Sequence, residues 1–123
     1  MEVARAFCHR AALAHQFVDC LSEICFEAAE IQAQELDDYY QRSGKTIGPL
    51  HGLPISLKDR FHIRGLDTAC RYVSLLGSKK TAEDEGILVQ RLRQMGAVLY
   101  VKTNVPMSML VGYPMDIRTP KSC

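Results

Sequence analysis

A lysine that can give up its proton is a base for hydroxyl nucleophiles, and one stretch of this chain presents a lysine in the right setting. Gly48-Pro49-Leu50-His51-Gly52-Leu53-Pro54-Ile55-Ser56-Leu57-Lys58-Asp59 ends a short apolar run on Lys58. An ammonium among apolar neighbours loses the hydration that favours its charge, and the neutral amine then accepts a proton from a serine. Lys58 is therefore the candidate general base. The plainer alternative is that a lysine at a strand end is the first side chain back in water. Asp59 has two uses, orienting neighbouring groups or closing the strand by accepting backbone N–H groups, and the second is preferred. Arg60 adds a permanent cation, which either acts on Lys58 or points into water. Ser56 lies two residues before Lys58 and shares its strand face. A mid-strand serine is not displayed on a turn ringed by amides, so Ser56 is read as structural.

No other residue set offers comparable chemistry. The five cysteines, at 8, 20, 25, 70 and 123, are odd in number and form no Cys-x-x-Cys pair, which points away from a disulfide framework or a zinc site. The histidines at 9, 15, 51 and 62 lack ligand spacing, so no metal and no cofactor is expected. Basic and acidic residues balance at 15 against 14 without long runs, which gives no nucleic-acid surface. Charges at the N-terminus replace the apolar core of a signal peptide, and no run of apolar residues reaches membrane length. A cytoplasmic product with no membrane partner is expected.

The elements that must position Lys58 are legible in part. Val3, Ala6, Phe7, Ala11 and Ala14 recur at helical steps, which predicts an amphipathic helix from Glu2 to about His15 with no cap before it. A short strand is expected over Cys20 to Phe26. The clearest helix follows, with Phe26, Ala29, Ala33, Leu36 and Tyr40 on its buried face and Gly44 at its end. Pro54 opens a strand through Leu57, and Phe61 to Ile63 is expected to continue extended to a turn at Gly65. Residues 65–77 read as loop with one short extended piece. Thr81-Ala82-Glu83-Asp84 offers a helix start, with Leu88, Leu92 and Met95 buried and Gly96 as the stop. Ala97 to Val101 is an apolar strand ended by Lys102-Thr103-Asn104, where open α/β sheets collect functional groups; Thr103 and Asn104 are read as capping and turning the chain before Pro106, in preference to contacting substrate. A helix between two strands gives an α/β fold with a largely parallel or mixed sheet.

The lysine stretch, with Gly65-Leu66-Asp67-Thr68, Gly96-Ala97-Val98 and Val101-Lys102-Thr103-Asn104, resembles the amidase signature family, nearest to its fungal acetamidase-like members. The likeness runs from about Glu2 to Gly112. It implies the N-terminal portion of that family's fold, a mixed sheet covered by helices and incomplete here. It also implies hydrolysis of an amide to a carboxylate and an amine or ammonia, through a Ser-Ser-Lys triad in which the lysine matches Lys58. Both serines of that triad belong to a Gly-Ser-rich segment with no counterpart in this sequence. Two divisions are expected: residues 1–112, the amidase part, and residues 113–123, a divergent loose tail suggestive of a truncated product. On this reading the chain is inactive by itself, and its partner in the complete enzyme is a small-molecule amide. The alternative is a remnant or interaction module that associates with a longer relative. Self-association is expected through Ala97 to Val101, whose faces and an edge are left uncovered, so that Leu99→Lys would improve solubility while doing little for a cooperative fold.

Overall fold

A computed structural model describes residues 1–106; the expected tail over 113–123 lies outside them. Helix α1 spans Glu2–Val18, strand β1 Leu21–Ile24, helix α2 Phe26–Ser43, strand β2 Pro54–Lys58, helix α3 Ile87–Gln94 and strand β3 Val98–Thr103. The sheet order is β1-β3-β2, with β2 parallel and β1 antiparallel to β3. The fold is α/β with a small mixed sheet, as the alternation of elements implies.

One face of the sheet is covered by α1 and α2. Ala4 and Cys8 of α1 meet Ala29, Ala33 and Leu36 of α2 over Val98. These are mostly small side chains, so the two helices approach closely and the bulkier Phe7 is left at the rim, edge-on to Tyr100 at 6.0 Å. The buried stripe of α1 is therefore Ala4 and Cys8, and the expected Val3, Ala6 and Ala14 face outwards. In place of a side-chain cap, the first turn of α1 is tied to α2 by the Met1 ammonium on Asp37 and by Arg5 donating to Glu30 at 3.2 Å. Helix α2 matches its expected span and buries Ala29, Ala33 and Leu36, with Tyr40 exposed. Gly44 ends it at φ 65°, its N–H donating to the Tyr40 carbonyl.

The opposite face carries Leu57 and Leu99 against Ile63, Val89 and Leu92. Here three expectations fail. Helix α3 begins at Ile87, because Asp84 accepts from both the N–H and the hydroxyl of Thr81 and closes a local turn in place of a first helical turn. Within the helix it is Val89 that is buried, while the expected Leu88 is exposed. Phe61 to Ile63 does not continue β2, since the Phe61 N–H bonds back to the Lys58 carbonyl and turns the chain off the sheet. Residues 65–77 hold a short 3-10 turn, Val73–Leu75, where an extended piece was expected.

Strand β3 is the centre of the sheet, paired on both sides, with Leu99 only 4% exposed. The expectation that this strand is left with uncovered faces and an edge is overturned. Among the described residues it is β1 and β2 that are each paired on one side only. What brings β2 beside β3 is a backbone contact between two turns. The Leu50 N–H donates to Met95, the Gly52 N–H to Gly96, and the Val98 N–H to Leu53. A side chain at Gly48 would lie 2.8 Å from the Met95 carbonyl oxygen, and one at Gly96, where φ is +89°, would lie 2.8 Å from the His51 Cα.

Candidate active site

Lys58 is the last residue of β2 and pairs with Thr103 of β3, at the C-terminal end of the parallel pair. Open α/β sheets collect functional groups at this end. Ser56 pairs with Val101 two residues earlier and shares the Lys58 face; both side chains are exposed. Ser56 hydrogen-bonds Tyr100, whose phenol is pushed above its ordinary range chiefly by burial, with Cys8 adding and the Ser56 bond opposing. That partner fits the structural reading of Ser56.

The desolvation expected of Lys58 is found instead at Lys102. Leu57 pairs with Lys102, so these two and Asp59 lie on the sheet face opposite to Lys58. An additional residue in β3, Tyr100, interrupts the pairing between Ile55 and Ser56 and shifts the alternation there. Lys102 is 0% exposed, and its ammonium donates to Asp59 Oδ1 at 2.8 Å, the Asp67 carbonyl at 2.5 Å and Thr68 Oγ1 at 3.1 Å. Asp59 is also buried; its second oxygen, Oδ2, accepts the Cys70 N–H at 2.9 Å. It thus pairs with a cation and accepts the amide of a loop eleven residues on, in place of closing β2 locally. Glu23 pairs with Lys102 from the other side, and burial first, then Asp67, raises its carboxyl above the usual range while Lys102 opposes them. Arg60 is exposed and stacks over Phe61 at 5.6 Å. Asn104 supports the chain as expected, donating to the Asp19 carbonyl at 2.6 Å.

Lys102 is the residue that sequence reasoning passed over. The available signal was a lysine following four apolar residues of a strand whose unbroken apolar run marks burial on both faces. A cleft of about 570 Å³ lies elsewhere, lined by Cys25, Ile31, Gln32, Ile63, Arg93 and Leu99 among others, and does not include Lys58. Among the described residues no helix is long and apolar enough to cross a membrane.

The profile of the amidase family matches residues 2–115. The chain is 47% identical over 112 residues to the putative amidase kk1C of Curvularia clavata, covering 91% of this chain and 20% of that protein. It is 49% identical over 111 residues to the acetamidase of Aspergillus oryzae, covering 90% and 20%. The chain therefore spans about a fifth of the length of these curated relatives. Among solved structures it is similar to a fatty acid amide hydrolase, with a TM-score of 0.79 and 43% identity over 85% of this chain and 18% of the other. It is also similar to the peptide amidase of Stenotrophomonas maltophilia, with a TM-score of 0.77 and 31% identity over 87% and 22%. With a family profile over nearly all of its length and the same arrangement of strands and helices as solved amidases, this chain belongs to the amidase family.

Proposed function

We propose that this chain supplies the base of an amide-hydrolysing centre, with Lys58 taking the proton of a nucleophilic serine. What supports the reading is the match of the stretch ending on Lys58 to the amidase family, together with the place of Lys58 at the C-terminal end of β2 on a backbone held on its C-terminal side. In the family's chemistry the serine oxygen attacks the amide carbonyl carbon while its proton passes through a second serine to the lysine amine. The C–N bond breaks, the proton goes to the leaving nitrogen, and water then hydrolyses the acyl ester to the carboxylate. Ser22, Ser43, Ser56, Ser74, Ser78, Ser108 and Ser122 lie in no Gly-Ser-rich segment. Without that segment and its oxyanion-binding amides, the chain alone does not turn over amides.

Two measurements test this. The purified chain is assayed against a simple linear amide and is expected to show no turnover above buffer. Residues 1–106 are then placed in the Aspergillus oryzae acetamidase instead of its matched segment, where Lys58→Ala is expected to remove at least about a hundredfold of the rate. A folded Lys58→Ala chimera within tenfold of its parent would refute the assignment of the base. An odd number of cysteines without a Cys-x-x-Cys pair supports a reducing compartment such as the cytoplasm.

A second reading is favoured by the pairing of β2 and β1 on one side only among the described residues. Such edges accept further strands, so an interaction module that pairs with a longer relative or with itself is consistent with them. Size-exclusion chromatography giving only monomer at high concentration, with and without the relative, would remove it.

A further inference from the structure

We propose that Lys102 is a positioning residue for Lys58, acting through Asp59 and Thr68; the inference rests on the reading of Lys58 as the base. A lysine withdrawn from water is tolerated when each N–H of its ammonium is accepted, and Lys102 meets that condition with Asp59, Asp67 and Thr68. These acceptors come from two places, the residue that follows Lys58 and the loop at 67–68. One buried ammonium therefore fastens the loop to the end of β2.

The fastening extends to the backbone around Lys58. The Asp59 N–H donates to the Thr103 carbonyl at 2.9 Å, and the Lys58 carbonyl accepts the Phe61 N–H at 3.0 Å. The Asp59 carbonyl accepts from the Cys70 thiol, and its carboxylate holds the Cys70 N–H. Rotation of the chain beyond Lys58 is thus blocked at successive peptide groups, and the direction of its Cα–Cβ bond is set towards the face opposite to Lys102. A buried ion pair is a poor device for stability alone, since apolar replacements of similar volume often do as well. Fixing a direction is what this pair adds. A base needs that fixity, because a misplacement of about 1 Å can cost on the order of a hundredfold in rate.

The first arm of the test is amide hydrogen exchange on the full chain. Thr68→Val removes one acceptor of Lys102 without leaving a charge unpaired, and Lys102→Arg keeps the cation while changing its shape. Exchange at the Asp59 and Cys70 amides is expected to speed at least threefold in Thr68→Val, and more in Lys102→Met if that variant folds, with the Ala33 and Leu36 amides of α2 unchanged. Equal exchange at Asp59 and Cys70 in wild type and Thr68→Val would overturn the proposal, whatever Lys102→Met does. The second arm uses the acetamidase chimera. Thr68→Val is expected to lower kcat about tenfold with KM within twofold, and Lys102→Arg to retain more kcat than Lys102→Met. An unchanged kcat in Thr68→Val, in a chimera that Lys58→Ala inactivates, would also overturn it. An inactive chimera, or one indifferent to Lys58→Ala, counts against the base reading alone and leaves the exchange arm to decide the positioning role.

Discussion

Lys102 and Asp59 form a buried ion pair at 2.8 Å, on the sheet face opposite to the exposed Lys58 that immediately precedes Asp59. Removing one partner strands the other as an uncompensated charge. Asp59→Asn or Lys102→Met is therefore expected to cost about 3–5 kcal/mol in denaturant unfolding. The double variant is expected to cost less than the sum of the two singles. Additive losses would mean that the two groups are not energetically coupled.

The contact between the turns at Gly48 and Gly96 gives a second expectation. Each position would place a Cβ 2.8 Å from backbone atoms of the other turn, which cannot move aside as a flexible side chain can. Gly96 also has a left-handed φ of +89°. Gly96→Ala is expected to destabilise the chain by about 1–3 kcal/mol, read from the shift in denaturation midpoint. A Gly44→Ala variant, whose added Cβ meets nothing within 4 Å, carries only the cost of its φ of +65° and should lose less.

Leu99→Lys now has the opposite expectation to the one its sequence suggests. Leu99 is packed with Leu57, Ile63 and Val89 in the centre of the sheet, so a lysine there buries a charge with no partner. Loss of the cooperative thermal transition is expected. Ile31→Lys, at a position 62% exposed on α2, should keep it. A stable, more soluble Leu99→Lys protein would contradict the central place of β3.

Alkaline pH should weaken the fold. Burial pushes the Cys25 thiol up to about 11 from an ordinary 9.0, with Arg93 opposing, and burial likewise raises Cys8 and Tyr100. Each of these groups is neutral in the fold at a pH where the unfolded chain has already lost the proton. The Cys25 contribution is fully present below pH 9 and is lost as the pH rises towards 11, and Cys8 and Tyr100 act in the same direction above their ordinary 9.0 and 10.0. Denaturant midpoints are expected to fall over that window, and Cys25→Ala should flatten the fall. A midpoint independent of pH between 9 and 11 would show that these thiols and the phenol are not held neutral by the fold.

The sequence by itself determined the local features. Small and apolar residues at helical steps marked α2, Gly44 and Gly96 marked the ends of the last two helices, and Pro54 with the apolar run after it marked β2 and the lysine at its end. These signals lie within a few residues of one another, so they survive without knowledge of the fold. Tertiary structure decided what depends on partners distant in the chain. Which stripe of α1 is buried was set by how closely Ala4 and Cys8 let α2 approach, not by the strength of its own periodicity. One local competition also escaped the reading of the sequence, since Asp84 bonding back to Thr81 moved the start of α3. The clearest case is the pair of lysines. Lys58 and Lys102 both end apolar runs and read alike, yet pairing across the sheet puts one on the exposed face and the other opposite Leu57 beside Asp59. Burial of a charge depends on whether acceptors arrive from elsewhere in the chain, and for Lys102 they come from residues 59, 67 and 68, more than thirty positions away.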